Sequence, residues 1–288
     1  MTPEAGSLLA LLTLPFMQRA LLAGLLSGAM GGLLGSVAVL RQLAFFSDAL
    51  GHSALLGLAL GVVLGLDPSL VLIPFAVLFA LLVSTLVQRS RLPADALLNI
   101  IYSSSLALAV LVLSRFPRYA GNLQNLLFGD ILGVSSIDLI LLALLLVGVV
   151  VVLWINRRAQ ILLSLDEPLA RSRGVAAEAQ RLLFVVLLAM VVALSIQAVG
   201  VLLISAFVVI PASAARLLSR SFSGYIVLSS ALGAGGAVLG LLASAAFNLP
   251  SGPAVVLVQL LGFGLALVVS AGGRSGAAAT AASPDPGG

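Results

Sequence analysis

The chain has 288 residues, with 14 basic residues against 10 acidic ones and a net charge of +4. Hydrophobic residues make up 61% of it and charged residues only 8%, whereas a soluble domain has roughly a quarter charged residues. So few charges exclude a water-soluble domain and predict an integral membrane protein. The lack of cysteine excludes disulfides, thiolate metal sites and a cysteine nucleophile.

Nine apolar stretches are long enough to cross a bilayer, which takes about 20 residues of helix. Helix is predicted because lipid offers no partners for the edges of strands. The chain is therefore predicted to be an all-α integral membrane protein with about nine transmembrane helices, eight being the alternative count. The predicted spans are Arg19–Leu40, Phe46–Leu66, Ser69–Val87, Ala94–Leu113, Ile137–Ile155, Leu182–Val199, Leu202–Leu218, Tyr225–Phe247 and Ala254–Val269.

The arginines predict an N-terminus outside and a C-terminus in the cytoplasm, because cytoplasmic loops carry an excess of basic residues. In this orientation only Arg19, Arg115 and Arg118 lie outside. An even number of spans would remove the bias. The cytoplasmic arginines would be Arg41, Arg89, Arg91, Arg157, Arg158, Arg171, Arg173, Arg181, Arg216, Arg220 and Arg274.

Three segments are not ordinary spans. Residues 116–136 mix polar residues with leucines, which predicts an amphipathic or re-entrant piece at the outer face. Residues 156–181 form the longest cytoplasmic loop. Residues 1–271 are predicted to form one transmembrane domain, and the tail 272–288, rich in glycine, alanine, serine and proline, is predicted to be disordered.

Glycines recur at helical spacing in two spans. Gly24, Gly28 and Gly32 lie four residues apart, as do Gly236 and Gly240. Small residues at this spacing let membrane helices pack closely without a hydrophobic driving force. Two interpretations are possible: packing within one chain, or a seam, that is, an interface, between two copies of the chain.

Asp48 and His52 are the candidate metal ligands, in the segment FFSDALGHSALLG at the start of the second span. A spacing of four residues places both side chains on one helical face. A carboxylate within a membrane is costly and usually faces a cavity or a partner. Carboxylate oxygen and imidazole nitrogen together suit a divalent first-row cation. The alternatives are a helix cap for Asp48 and an interhelical hydrogen bond for His52.

The loop segment SLDEPLARSRGV predicts a short helix. Ser164 or Asp166 would cap its start, and Pro168 is tolerated in a first turn. Gly174 suits the position after its C-terminus. This helix would either dock into a partner or form a solvated linker on the membrane surface.

Polar groups and one proline within spans mark a possible path or kink. Pro211 interrupts the seventh span, where Ser205 or Ser213 can re-satisfy a freed backbone group. Asn99 and Gln197 are further polar residues in spans. Each of these residues either lines a substrate path or makes packing contacts.

The sequence resembles the membrane permeases of the manganese, zinc and iron family of ATP-binding cassette importers, the ABC-3 family. The similarity covers the chain from about Met17 to Ser270 and keeps the family's order. The matching stretches are VLRQLAFFSDALGHSALLGLALG, LLFGDILGVS, LDEPLARSRGV, AVGVLLISAFVVIPASAARLL and NLPSGPAVVL.

The resemblance implies a permease of the bacterial plasma (inner) membrane that moves a divalent metal ion as substrate, with no tightly bound cofactor. Its implied partners are a second permease copy, two cytoplasmic ATPase subunits, an extracytoplasmic metal-binding protein and membrane lipid, but no nucleic acid. The family's metal-path pattern falls on Asp48 and His52. The family's coupling helix, which transmits the motion of the ATPases, falls on Asp166, Glu167, Ala170 and Gly174.

Two positions depart from the family's pattern. Gly51 stands where serine is usual, and is expected to loosen the helix between the two ligands. Leu56 stands where proline is frequent, and is expected to straighten that helix. The ligand geometry of relatives therefore does not transfer directly.

Other function classes fit less well. An ion-coupled secondary transporter would show more ionisable groups within its spans, and a permease for vitamin B12 or iron-siderophores would not need Asp48 and His52. A membrane protease would need a motif such as H-E-x-x-H. The chain has no G-x-x-x-x-G-K-[ST] run, so it is not predicted to be an enzyme, and ATP hydrolysis would belong to a separate subunit. One histidine and no cysteine favour manganese over zinc or iron.

Overall fold

A computed structural model describes residues 13–90, 92–116 and 131–281 of the chain. Within these residues the chain folds into eleven α-helices and one 3₁₀ turn, with no strand. The helices are α1 (Pro15–Leu40), α2 (Phe46–Leu64), α3 (Pro68–Arg89), α4 (Ala94–Leu113), α5 (Ser136–Ile155), α6 (Arg157–Leu165), α7 (Glu167–Ser172), α8 (Ala177–Val199), α9 (Val201–Leu218), α10 (Phe222–Phe247) and α11 (Ser251–Ala281).

Nine of the described helices are long and apolar enough to cross a membrane, and they coincide with the nine predicted spans. The two short helices, α6 and α7, both lie in the predicted loop 156–181. The sequence predicted α7 but not α6. The all-helical membrane fold is therefore confirmed, with a short helical hairpin projecting between α5 and α8.

Helix α1 lies at the centre of the bundle, packed between α9 and α10. Gly28 and Gly32 lie directly against the α10 backbone, at Gly233 and Ser229. The Ser229 hydroxyl donates a hydrogen bond of 2.5 Å to the Gly32 carbonyl oxygen. The Gly24–Gly28–Gly32 stripe therefore serves packing within one chain, and the reading as a seam between copies is wrong for these residues.

The second glycine pair has the same role on the other side of α10. Gly236 lies against the Gln259 side chain and Gly240 against the backbone of Val255, both on α11. Close approach without side chains brings the helix backbones into van der Waals contact, which holds helices together in lipid.

Two predicted segments are only partly described. Of residues 116–136, positions 117–130 lie outside the described residues, so the re-entrant piece stays a prediction. The part that follows is a 3₁₀ turn at Ile131–Gly133 and the start of α5, where Ser135 and Asp138 form a reciprocal capping box. At the C-terminal end, α11 continues to Ala281, past the predicted start of disorder at Gly272, since its last residues are rich in the strong helix former alanine. For residues 282–288 disorder stays a prediction.

Gly35 provides a test of this close packing. Its missing side chain lets the Val208 carbonyl of α9 approach α1, and a Cβ there would overlap that oxygen. We expect Gly35→Ala to destabilise the protein by about 1–3 kcal/mol through overpacking. The measurement is the thermal unfolding midpoint of the purified protein in detergent.

Gly148→Ala is the matched control. Gly148 lies on α5, where an added Cβ would meet nothing within 4 Å. Alanine should leave the midpoint unchanged or raise it slightly, because alanine is the better helix former. Equal midpoints for both variants would contradict the role assigned to α1.

Candidate functional site

Asp48 and His52 lie on one face of α2, within its first two turns, as their spacing predicts. The His52 Nε2 and Asp48 Oδ1 atoms are 3.7 Å apart. The His52 side chain keeps 29% of its surface accessible and the Asp48 side chain 39%, although most of the surrounding α2 residues are buried. Asp48 also lies in the first turn of α2, where the helix dipole favours a negative charge. The pair therefore presents an oxygen and a nitrogen ligand together.

The separation of the two ligand atoms fits a shared divalent cation. Two atoms each about 2.1 Å from one cation lie about 3.0 Å apart in octahedral geometry and about 3.4 Å apart in tetrahedral geometry. The observed 3.7 Å needs only a small side-chain movement to reach either value. No group of three or more His, Asp or Glu side chains comes together in the described part of the chain. A cation held by this pair would take its other ligands from water, hydroxyl or carbonyl oxygen, or from another chain.

Gly51 has a different role from the one its sequence context suggested. It is buried, and a Cβ there would lie 2.6 Å from Val201 Cγ1. The glycine thus lets the start of α9 pack beside the Asp48–His52 pair. Helix α2 runs without a break through Gly51 and Leu56, so no loosening is seen at Gly51. The straightening expected from Leu56 stays a prediction.

The contact at Gly51 places the α8–α9 turn beside α2, because Val201, the first residue of α9, directly follows that turn. The turn between α8 and α9 consists of a single residue, Gly200. Its φ of 86° and ψ of 162° belong to a region that is essentially restricted to glycine. The turn therefore brings the C-terminal end of α8 and the N-terminal end of α9 beside α2. Helix ends carry unpaired backbone groups, and such ends often line ion paths in transporters.

Tyr102 is a site residue that the sequence analysis missed. Its ring on α4 contacts the His52 ring with the centroids 5.2 Å apart, and it also meets Phe45 edge-on at 6.3 Å. This contact limits the rotation of the imidazole. Tyr102 sits between apolar residues and a serine run, and only the pairing of α2 with α4 reveals its position.

The residues predicted to line a path or form a kink lie on three different helices, α4, α8 and α9. Asn99 is exposed on α4, where its side-chain oxygen accepts a hydrogen bond from Ser103 at 3.2 Å. Gln197 is exposed in the last turn of α8. Ser205 has a buried hydroxyl with no hydrogen-bond partner in the described structure. Pro211 lies inside α9, where it lines a cleft of about 170 Å³ together with Gly236 and other residues of α10 and α11.

The predicted short helix is α7, and its ends are capped as the sequence indicates. The Asp166 carboxylate accepts a hydrogen bond of 2.9 Å from the Leu169 amide. At the other end the Gly174 and Val175 amides donate to the carbonyls of Arg171 and Ala170, with Gly174 at a φ of 78°. Asp166 is thus the N-cap, and Ser164 is not.

Ion pairs tie α7 to the start of α8. Glu167 accepts from Arg171 at 2.9 Å and also pairs with Arg181. The hydrogen bond from Arg171 is the main reason that the pKa of Glu167 lies below its usual range. Glu167 therefore stays ionised at neutral pH and fixes the hairpin against α8.

The outer surface of the hairpin is partly apolar. Leu165 and Leu169 are 74% and 43% exposed, beside the exposed Asp166. Ala170, by contrast, is fully buried against the rest of the chain. The two leucines add an apolar contact surface that the polar sequence motif did not reveal.

Comparison with known proteins places these features in a family. A family model described as the ABC 3 transport family matches residues 13–270. The manganese import system permease protein of Streptococcus gordonii is 33% identical over 248 residues, covering 86% of this chain and 89% of that protein. The high-affinity zinc uptake system membrane protein of Haemophilus influenzae is 34% identical over 259 residues, covering 86% of this chain and 95% of that protein.

A solved structure has the same fold. It is that of PsaBC from Streptococcus pneumoniae in complex with Fab, which superposes with a TM-score of 0.80 at 31% identity. The match covers 91% of this chain and 95% of that chain. The similarity thus extends over nearly the entire helical bundle.

Tyr102 gives a prediction about metal affinity. We expect Tyr102→Ala to weaken manganese binding by roughly 10-fold, because groups that orient a ligand typically contribute 10–100-fold to metal affinity. Tyr102→Phe keeps the ring against His52 and should bind as the wild type does. The measurement is equilibrium dialysis of the purified protein with radioactive manganese. Loss of affinity in the phenylalanine variant would instead assign the role to the hydroxyl group.

Proposed function

This chain belongs to the ABC 3 transport family, and on that premise we propose that it is the permease subunit of an ATP-driven importer for a divalent transition metal ion. It is a multi-pass protein of the bacterial plasma (inner) membrane. The permease itself is not an enzyme, because ATP hydrolysis takes place on separate subunits. The metal ion is its substrate and not a resident cofactor.

The observation that carries this proposal is the Asp48–His52 pair, 3.7 Å apart on a membrane helix. A carboxylate and an imidazole within a span are costly unless they serve a substrate or a partner. The pair offsets part of a cation's charge and replaces two of its water ligands. Oxygen atoms from water or from the helix ends at Gly200 would supply the others.

Alternating access gives the order of events. A binding protein outside releases the cation to Asp48 and His52. ATP-driven closure of two ATPase subunits shifts the α6–α7 hairpin, and the bundle then opens the site to the other side. Transport needs no covalent step in this chain, only a change in which end of the path is open.

The orientation and partners follow from the same proposal. We place the N-terminus outside and the hairpin in the cytoplasm, where the arginine bias puts it. A second permease copy would complete the path, and two ATPase subunits would contact the hairpin through Asp166, Glu167, Leu165 and Leu169. Gly174 shapes the end of α7, and the buried Ala170 supports that helix from behind. Membrane lipid covers the rest of the bundle, and no nucleic acid is involved.

Manganese is the first choice for the metal. The manganese and zinc relatives are equally similar to this chain, at 33% and 34% identity, so identity does not decide between them. The site offers one imidazole, one carboxylate and no thiolate. Oxygen-rich octahedral sites suit manganese, whereas zinc prefers nitrogen and sulfur ligands, and iron is the third candidate.

Two alternatives are weaker. A vitamin B12 or iron-siderophore permease would make no use of the Asp48–His52 pair, and the relatives named above are described by manganese and zinc. An ion-coupled secondary transporter would work without ATPase subunits, unlike members of this family. Uptake that persists without ATP would support that alternative.

Site variants test the transport function. We expect both Asp48→Asn and His52→Ala to lower ATP-dependent uptake of manganese by at least about 10-fold, since the first removes the negative charge of one ligand and the second removes the imidazole ligand. The assay uses vesicles that contain the permease, its ATPase and its binding protein, and it compares manganese, zinc and ferrous iron. Asp95→Asn is the control, because Asp95 is an exposed acid in the first turn of α4.

The possible outcomes test the Asp48–His52 site and the importer function separately. Uptake at wild-type levels in both site variants would leave the importer in place and reject the site. No uptake of any of the three metals by the wild type would reject the metal importer.

The hairpin surface gives a separate prediction. Leu169→Asp places a charge in the apolar part of the surface and should reduce co-purification of the ATPase subunit by about 10-fold, as expected for a buried interface position. Ala179→Asp adds the same charge at an exposed position outside α7 and should have no effect. Equal recovery of the ATPase with both variants would place the interface elsewhere.

A further inference from the structure

A polar cluster joins the hairpin to the end of α1, and no step described above uses it. At its centre is Arg41, directly after α1. The Arg41 Nη2 atom donates to the Gln160 side-chain oxygen at 2.7 Å and to the Gln160 carbonyl at 3.3 Å, and Nε donates to Ser164 Oγ at 3.4 Å. These contacts bridge residues more than a hundred positions apart in the chain.

The cluster continues through buried amides to α8. Gln160 is only 3% exposed, and its nitrogen donates to the Gln180 side-chain oxygen at 3.1 Å. Gln180 in turn donates to the Asn156 side chain at 2.8 Å. Helices α1, α6 and α8 and the α5–α6 junction are therefore held by one continuous set of hydrogen bonds, and each bond fixes the orientation of the next.

The position of the Arg41 side chain depends on these hydrogen bonds. Its guanidinium group lies over the Phe184 ring, 5.0 Å from the centroid. Burial, with Arg181 nearby, lowers the pKa of Arg41 to about 10, and the neighbouring Glu167 opposes this shift. A cleft of about 240 Å³ is lined by Arg41, Glu167 and Arg181, where the end of α1 faces the hairpin and the start of α8.

Arg41 is followed in the chain by the turn into α2, the helix that carries the two candidate metal ligands. A tight turn joins α1 to α2, in which the Leu43 amide donates to Ala38 at 2.8 Å and Gln42 adopts a φ of 58°. Phe46, at the start of α2, is fully buried and packs on Phe79 at 5.7 Å. Asp48 follows two residues later. Arg41 and Asp48 are thus joined by a short and well-packed segment.

We propose that Arg41 is the positioning residue that couples the α6–α7 hairpin to the metal-binding helix α2. A shift of α6 carries Gln160 and Ser164 with it, Arg41 follows through its fork of hydrogen bonds, and α2 changes the placement of Asp48 and His52. A guanidinium group suits this task because its donors have a fixed planar geometry. This inference rests on the proposed metal-importer function and names the residue through which hairpin motion reaches the site.

The test is the ratio of metal transported to ATP hydrolysed. Proteoliposomes would hold the permease with its ATPase subunit, with the metal-loaded binding protein outside. Arg41→Gln and Gln160→Met break the same hydrogen bond from opposite sides. Arg158→Gln is the control, because it removes one positive charge from an exposed position on the same helix as Gln160.

We expect the two variants to keep ATP hydrolysis within about twofold of the wild type while manganese uptake per ATP falls at least fivefold, and Arg158→Gln to match the wild type. Arg41→Lys keeps the positive charge but loses the planar set of hydrogen-bond donors, and should give an intermediate ratio of manganese uptake to ATP hydrolysis. A purely structural role would lower hydrolysis and uptake together and leave their ratio unchanged.

The outcomes are distinguishable from failure of the proposed function. If the wild type transports no metal, the metal importer is rejected before the variants are compared. If the wild type transports metal and any assembled Arg41 or Gln160 variant keeps the wild-type ratio, the coupling role of Arg41 is wrong. Assembly is checked by gel filtration, and either variant alone is sufficient for the comparison.

Discussion

The close contact of α1 with α10 and α9 is the constraint on which the rest of the molecule depends. Lipid gives helices no hydrophobic reason to associate, so contact must come from backbones that fit together. Gly28 and Gly32 allow this fit to α10, and Gly35 allows it to α9. The hydrogen bonds from Ser229 and Ser230 to carbonyls of α1 fix the register of the α1–α10 pair. A central helix held in this way serves as a frame for the functional elements.

The candidate site takes its geometry from that frame. The α9 helix is positioned by Gly35 at one level and meets Gly51 of α2 at another. Helix α2 thereby presents Asp48 and His52 beside a helix end, with Tyr102 of α4 against the imidazole. The two candidate ligand atoms thus come from a single helix, and the neighbouring contacts described here come from α4 and α9.

Most of the fold could be predicted from the sequence because it depends on local composition. Nine apolar stretches were sufficient to find nine described spans, and the Asp166 and Gly174 signals were sufficient to find α7. The parts that the sequence could not give are long-range contacts. The place of Tyr102 beside His52, the contact of Gly51 with Val201 and the burial of Ala170 depend on which helices are neighbours. The Asp48–His52 pairing was predictable because its spacing is local.

The one-residue turn at Gly200 has a consequence for how the protein is made. A connection of one residue leaves no loop between α8 and α9, so neither helix can take its place in the bundle without the other. The turn is covered where it packs against α2 at Gly51, which is synthesised earlier. The N-terminal part of the chain, made first, thus provides the surface against which the α8–α9 connection packs.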